Sequence, residues 1–561
     1  MALSKIADRV YETDVLVVGG GIAGCPAAWK AAQKGASVIL ADKANPARSG
    51  SSACGIDHYP GFFDRGLTVG QWNAAVQEYG YQNAFHGGVP FSDPTRMYRT
   101  YANSQWSTEQ LEAMGVPMKW TDGKYRFMNA DSHWKGPTMR IHWTNVKPIM
   151  ADACKKAGVK ILDHVSIADL LTSNGKVVGA VAVDNRSGEY IVIKAKATAL
   201  ATAACSRIYS PETAQPWNYK MKYHWCPSSV SGDGWAMAYR AGAELGNMEI
   251  APPGYRLRDD GTLSWGNTGN EGFEAAEVNF LGKEFKGRAS HMGASIPPAY
   301  MSFNNLPEDF LKRIEVAYVD ERMVSFKLAE DRGFNLRTHW YERMDERINQ
   351  LHVEPGINVD ENMAASMKGL FALGDCIQGS HNVCACGSTG MLFGDSVGEF
   401  LEKTDKPEVD EKQVSALKET IMKPSTVSVN DGTEPMELEC ALRYATERYN
   451  NLNKSEGKLR EGIRRIASLR REFLPKVVAK NPHYMARALE VRNLFDVAEL
   501  HFEGCLNRKE TRRNYIRLDY PQQDPALNDL LTYYKLINGK MVLEMRKVNP
   551  MKYPDNHKEE R

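Results

Sequence analysis

Neither sign of charge dominates this chain. Seventy lysines and arginines stand against 69 aspartates and glutamates, a formal net charge of +1 over 561 residues. A nucleic-acid binder would carry a strong basic excess, so that class is excluded. There is also no uninterrupted run of about 18 apolar residues, the length a membrane-crossing helix needs, and no direct membrane insertion is expected. The opening MALSKIADRVYETDVLVVGG has no basic segment followed by an apolar stretch and a small-residue cleavage site, so no export signal is read and a cytoplasmic location is expected. Cysteine is present but unclustered. None of Cys25, Cys54, Cys154, Cys205, Cys226, Cys376, Cys384, Cys386, Cys440 and Cys505 forms a Cys-x-x-Cys pair or follows zinc or iron–sulfur spacing. Reduced thiols and no metal site are expected. If the protein passes electrons over a distance, the metal relay lies in another chain. Internal repeats and low-complexity tracts are absent. A hydrophobic content of 43% and a charged content of 25% exclude collagen-like, disordered and disulfide-scaffold classes.

The first strong element is Asp14-Val15-Leu16-Val17-Val18, an apolar, mostly β-branched run that reads as a strand buried on both faces. Gly19-Gly20-Gly21-Ile22-Ala23-Gly24 follows, then helix-forming sequence to a stop at Gly35, then a second strand, Ala36–Ala41, ending at Asp42. This is a βαβ unit of about 30 residues. Its glycines spell GxGxxG between a strand and a helix. There the backbone can turn tightly and a pyrophosphate can approach the free N–H groups of the helix N-terminus. Asp42, 18 residues after Gly24, is placed for a ribose diol, with Lys43 beside it. The pattern specifies a dinucleotide and leaves NAD or FAD open.

Further segments converge on the same ligand. Arg48-Ser49-Gly50-Ser51-Ser52-Ala53-Cys54-Gly55 suits a loop around a diphosphate and a planar ring. Thr198–Thr202 reads as a strand end in contact with a dinucleotide through Ala201 and Thr202, and Gly374-Asp375 closes a late strand beginning at Gly369, where Asp375 reaches a ribityl hydroxyl. Asn174-Gly175 between apolar runs signals a hairpin inside a β-rich block from about 158 to 202. From about 405 the chain is helical. Leu459, Ile463, Ile466, Leu469 and Phe473 mark one helix face, and Arg460, Arg464, Arg465, Arg470 and Arg471 surround it, either as a solvated, carboxylate-paired face or as a docking face for a partner protein.

With these residues in view, the sequence resembles the flavoprotein subunits of fumarate reductase, succinate dehydrogenase, L-aspartate oxidase and adenylylsulfate reductase over nearly its whole length. The markers are the Gly19–Gly24 loop, Ser49 to Gly55, Ser231-Gly232-Asp233-Gly234 leading into Ala241-Gly242-Ala243, Lys368 to Asp375, and Arg508-Lys509-Glu510-Thr511-Arg512 to Asp519-Tyr520-Pro521. Asp122–Tyr125, Ile141-His142 with Lys147-Pro148-Ile149, and Arg508–Arg512 point to the alpha chain of adenylylsulfate reductase as the nearest branch. The resemblance implies an α/β fold: a Rossmann-like FAD-binding domain (1–212 and 351–404), an inserted α+β capping domain (213–350), a C-terminal helical domain (405–520) and a tail (521–561). It also implies FAD, with Asp233 and Ser388 among its contacts, and an iron–sulfur electron-transfer partner. His352 and His381 fall at family active-site positions, where a histidine beside a flavin can move a proton.

The departures are as informative. Where a histidine bonds covalently to flavin in membrane-bound relatives, this chain has Gly50, so non-covalent FAD is expected. Two glycines are replaced by Ala203-Ala204. The arginine that holds a C4-dicarboxylate is replaced by Ala385, which removes a bidentate clamp and argues against fumarate and succinate. The arginine of the adenylylsulfate branch is missing around Met248–Ala251, with Arg256 or Arg258 as substitutes. Arg140, His142 and His224 are further candidates for a substrate-anion site. Cys384 and Cys386 are thiol nucleophiles, a redox couple, or small packing residues. The expected activity is that of a catalytic FAD-dependent oxidoreductase whose substrate is small and polar or anionic. The alternatives are fumarate reduction, aspartate oxidation and a non-catalytic electron-transfer role within a larger complex.

Overall fold

The computed structural model describes residues 3–209 apart from 55–57, 64–67, 87–88, 91, 128–137 and 142–144; residues 229–250; short stretches between 276 and 343; and residues 351–550 apart from 352–353, 380–381, 452 and 513–514. The βαβ unit forms as its pattern requires. Strand β1 (Arg9–Val18) leads to helix α1 (Gly24–Gln33) and to β2 (Val38–Asp42), which pairs with β1 in parallel. Its central residues Val15, Leu16 and Val17 have no solvent exposure, as a strand covered on both faces should. Helix α2 (Pro94–Ala102) and helix α3 (Val146–Lys156) precede β3 (Lys160–Asp163), β4 (Val165–Ser173), β5 (Lys176–Asp184) and β6 (Tyr190–Leu200). Asn174 (φ 50°) and Gly175 (φ 72°) turn β4 into β5, both in the left-handed region that a two-residue hairpin of this type needs.

The sheet order is β3-β2-β1-β6-β5-β4. One edge of β6 takes β1 along its whole length. The other edge is shared: its first half pairs with β5, and Thr198–Leu200 pair in parallel with β7 (Leu370–Ala372). The chain therefore leaves the sheet after β6, forms α4 (Asp233–Arg240), and comes back about 170 residues later beside the strand it left. Helix α5 (Val383–Glu402) follows β7 and packs along α1 so closely that a Cβ on Gly390 would lie 2.2 Å from the Ala23 carbonyl oxygen. Between α4 and β7 the described stretches include a three-stranded antiparallel sheet of Ala276–Val278, Ala299–Ser302 and Trp340–Arg343.

Helices α6 (Pro435–Tyr449), α7 (Glu456–Glu472) and α8 (Pro482–Asn507) pack together, and the hairpin of β8 (Leu530–Ile537) and β9 (Lys540–Lys547) joins Leu245–Gly246 and Gly356–Ile357 in a second sheet. Leu459 and Ile466 of α7 are fully buried, while Phe473, expected on the same face, is 40% exposed at the helix end. The arginines of α7 include paired ones: Arg460 with Glu456, Arg464 with Glu461, Arg471 with Glu472, and Arg470 with Asp496 and Glu499 of α8. No described helix is long and apolar enough to cross a membrane.

Helix α8 is fastened to the sheet domain by buried polar contacts. His501 is fully buried, with Nδ1 2.7 Å from the Met248 carbonyl and Nε2 2.6 Å from the Tyr209 hydroxyl. The carbonyl requires Nδ1 to donate, which leaves Nε2 to accept. Burial, reinforced by Lys454, pulls the imidazole pKa from 6.5 down to about 3. The unfolded chain therefore binds a proton at mildly acidic pH that the folded chain refuses, and stability falls as pH drops below 6.5. Between pH 7.5 and 5 this one residue should remove about 2 kcal/mol. Urea melts at the two pH values should show the wild type losing that much more than His501→Gln. Equal losses would contradict the assignment.

Candidate functional site

The glycine loop is shaped by close backbone approach. Gly19 sits at φ +98°, and a Cβ on Gly24 would lie only 1.8 Å from the Gly19 carbonyl oxygen, so the start of α1 rests directly on the loop. Gly21 differs: nothing lies within 4 Å of its ideal Cβ position. That open side faces a cleft running from the loop and the end of β2, past Ser49–Ser52 and Ala201–Ala203, to Asp375 and Cys386. Floored by bare glycine backbone at a helix N-terminus and walled by the serine loop, this space fits a dinucleotide.

Asp42 does more than wait for a ribose. It is 6% exposed and accepts from the Gly20 N–H at 2.7 Å, the Ala44 N–H at 2.7 Å and the Ser49 hydroxyl at 3.0 Å. Its carboxylate thus ties the glycine loop to the serine loop. From the other side, the buried Lys147 ammonium at the start of α3 donates to the Gly20 carbonyl. A cation held under the loop favours an anion above it. The sequence flagged Lys147 only as a family marker; a lysine at the head of an otherwise apolar helix turn was the signal. Lys43 also faces the cleft, yet its ammonium is held by Ser231 at 2.9 Å, Asp233 at 2.7 Å and Glu490 of α8 at 2.8 Å. Glu490 is bonded by Arg207 and Arg487 as well. Lys43 and Arg207 overcome burial and hold its pKa at about 2.

At the far end, the Cys386 thiol donates to Asp375 Oδ1 at 3.3 Å, and Thr202 Oγ1 accepts the Gly234 N–H at 3.1 Å and lies 3.4 Å from Cys376 Sγ. Ala203, where the resemblance leads one to expect glycine, is held at φ 60° on the cleft wall. That conformation costs an alanine roughly 1–2 kcal/mol.

Of the sequence candidates, the structure brings Gly19, Gly21, Ile22, Ala23, Asp42, Lys43, Ser49, Gly50, Ser51, Ala201, Thr202, Asp233 and Asp375 to this one cleft. Gly24, Gly374 and Ser388 are not part of its lining. Gly24 and Gly374 stand behind the wall, where Gly374 donates its N–H to Thr389 Oγ1 at 3.0 Å; Ser388 is buried inside α5 near Cys384. Cys54 closes a short 3-10 turn. Gly55, His352, His381, Arg256, Arg258, His142 and His224 lie outside the described residues. The sequence reading missed Val165, Ile167 and Met237, apolar lining residues indistinguishable from core by pattern, and Ser166 between the first two.

Cys384 and Cys386 do not act as a facing pair. Residues two apart on a helix point to different sides: Cys384 packs toward Gly61 and Ser388, and Cys386 toward Asp375 and Gly374. Burial pushes the Cys384 thiol up to about 11, away from nucleophilic use. Ala385, where the resemblance leads one to expect a carboxylate-binding arginine, is 2% exposed in an apolar cluster with Phe62, Trp72, Met97, Tyr98 and Tyr101. Among the described residues no group of three or more metal-ligating side chains occurs.

Comparison with known proteins matches this geometry. Residues 14–257 match the FAD binding domain family, and residues 441–559 match the fumarate reductase flavoprotein C-terminal family. A component of the CoM/CoB fumarate reductase of Methanothermobacter marburgensis is 25% identical, the alignment covering 95% of this chain and 98% of that one. Adenylylsulfate reductase of Archaeoglobus fulgidus superposes with a TM-score of 0.78 at 24% identity, over 97% of this chain and 96% of that one. E. coli quinol fumarate reductase superposes at 0.73 and 20% identity, over 97% and 98%. The chain carries an FAD binding domain and a fumarate reductase flavoprotein C-terminal domain, and it is an FAD-dependent oxidoreductase.

Proposed function

We propose that this chain is the catalytic flavin subunit of a cytoplasmic complex, acting on a small anionic substrate of the adenylylsulfate class and exchanging electrons with an iron–sulfur partner. FAD, when bound, supplies the hydride and electron chemistry. The chain's own residues do the rest. The Gly19–Gly24 loop, with Lys147 beneath it, would take the pyrophosphate, and Asp42 would hold the two loops that flank it. Asp375 and Cys386 would stand at the other end. Gly50 offers no side chain for a covalent link. His352 and His381 are proposed to hold and move the substrate proton, and Arg256 to bind its anionic group.

The observation that carries the choice of substrate is the burial of Ala385 among aromatic side chains. A C4-dicarboxylate would find no clamp at that position, and dicarboxylate recognition without a bidentate partner loses its strongest hydrogen bonds. The overall likeness to adenylylsulfate reductase supports the same reading.

The test is anaerobic titration of the FAD-loaded protein, with and without its electron partner, against adenylylsulfate, sulfite, fumarate, succinate and aspartate. Flavin absorbance should respond to the sulfur compounds and not to the dicarboxylates. Replacing His352 and His381 by alanine should abolish turnover and spare reduction by dithionite. A flavin that responds to none of the five, with turnover in the complex indifferent to both histidines, would mean a relay protein instead.

A further inference from the structure

Helix α2 contains an unusual cation. Arg96 is 2% exposed, and its Nη2 donates to the Ser92 hydroxyl at 2.5 Å and to the main-chain carbonyl of Gln378. Among the described residues no carboxylate pairs with it, and its Nε has no acceptor. Asp93, adjacent in sequence, uses its carboxylate to cap the helix at the Arg96 N–H, 2.9 Å away, and acts on the guanidinium only at longer range. Burial lowers the Arg96 pKa to about 10, which still leaves it charged at neutral pH. Burying an unneutralised cation is expensive, and a methionine would fill the same volume without that cost. Such a charge calls for a purpose other than packing.

Its surroundings supply one. Gln378 lies three residues beyond Asp375, and Asn382 four residues before Cys386; both of those outer residues line the cofactor cleft. Asn382 Nδ2 donates to the Tyr101 hydroxyl at 3.0 Å, while its Oδ1 caps α5 at the Ala385 N–H, 2.9 Å away. One helix thus holds both Gln378, through Arg96, and Asn382, through Tyr101. Gln378 and Asn382 lie in sequence between Asp375 and Cys386, the two residues that form the far wall of the cleft. Gln378 Nε2 has no acceptor either, so the donors gathered here outnumber the acceptors.

We propose that Arg96 is a positioning residue of the flavin site, holding Gln378 through its main-chain carbonyl and setting an unneutralised positive charge behind the cleft wall that stabilises negative charge on the reduced cofactor. This rests on the FAD assignment and on the cleft, and needs no particular substrate.

The measurement is the two-electron midpoint potential of the FAD-loaded protein, equilibrated against reference dyes, in three variants. Arg96→Met should make the flavin harder to reduce by about tenfold in the equilibrium constant, a shift of about 30 mV for a two-electron couple. Arg96→Lys should recover at least half of that. Ser92→Asp keeps the guanidinium and its Gln378 bond but places a carboxylate against it, so it should lower the potential as Arg96→Met does. A purely structural clamp predicts the opposite for Ser92→Asp, an unchanged potential. If Arg96→Met fails to fold, Ser92→Asp and Arg96→Lys still decide the matter. A reduction equilibrium within twofold of the wild type in Ser92→Asp would overturn the proposal. Because dyes and dithionite replace the substrate, that result is separate from any failure of the proposed reaction.

Discussion

Gly24→Ala should yield protein without bound FAD, its affinity lowered by at least 100-fold. The cause is steric. The added methyl would lie 1.8 Å from the Gly19 carbonyl oxygen, 3.0 Å from the Gly19 carbonyl carbon and 3.3 Å from Ala201 Cβ. Backbone atoms cannot swing aside as a flexible side chain can, so the loop must be displaced. The displacement reaches the Gly20 N–H, which Asp42 accepts, and the Gly20 carbonyl, which Lys147 holds. The whole floor of the cleft moves, and the apoprotein should also melt at a lower temperature. Gly21→Ala makes the informative contrast. Its Cβ would meet no protein atom within 4 Å, so the apoprotein should melt like the wild type while FAD binding is weakened by the methyl standing in the cleft. The ratio of flavin to protein absorbance, with apoprotein melting curves, checks both. A Gly24→Ala protein that retains stoichiometric FAD would show that the loop is not the cofactor floor, and a Gly21→Ala protein that melts early would show that its side of the loop is packed.

The two glycines also show what a sequence can and cannot reveal. The βαβ unit was legible because its signals are local: an unbroken apolar run, three spaced glycines, an acid at the next strand end. The Asn174-Gly175 hairpin and the late strand at 370–372 were legible for the same reason. The work that Asp42 does was not, because Ser49 and Gly20 become its partners only once β2 is beside β1. Nor was the bond from Lys43 to Glu490, 447 residues away. Ion pairs between distant segments leave no periodicity to read. Gly374, read from the late strand end, and Ser388, assigned by resemblance, do not line the cleft, because on a buried helix or tight turn only one side faces it. Arg96 carried no signal at all. An arginine on an amphipathic helix looks like a surface residue until the helix is seen between Gln378 and the aromatic cluster.

The run Arg508-Lys509-Glu510-Thr511-Arg512 served only as a family marker in the sequence, and it should prove to be the costliest place in the C-terminal region to change. Arg508 joins Glu249 at 2.8 Å and Glu510 at 2.8 Å, and donates to the Thr532 hydroxyl of β8 at 3.0 Å. Glu249 also accepts from the hydroxyls of Thr532 at 2.6 Å and Tyr534 at 2.5 Å, and Glu510 is shared with Arg512. The side chains of Arg508, Glu249 and Glu510 are at most 2% exposed. Burial alone would raise the Glu249 pKa, but Arg508 and the two hydroxyls hold it below its ordinary value. Removing one member leaves a buried charge without its partner, so Arg508→Met should cost roughly 3–5 kcal/mol. The network as a whole is far less valuable than that figure suggests, since its desolvation offsets most of its attraction. Adding Glu249→Gln to Arg508→Met should therefore recover at least half of the loss, the amide oxygen accepting from the Tyr534 hydroxyl and the amide NH2 donating to the Thr532 hydroxyl oxygen that Arg508 no longer occupies. Denaturant midpoints of the wild type, both single variants and the double variant measure this directly, with a coupling expected in the range of interacting neighbours. Additive losses, or an Arg508→Met variant within about 1 kcal/mol of the wild type, would show that the ion pairs are not what ties β8 to the segment after α4. FAD content should be the same in all four proteins, because no member of this network lines the cofactor cleft.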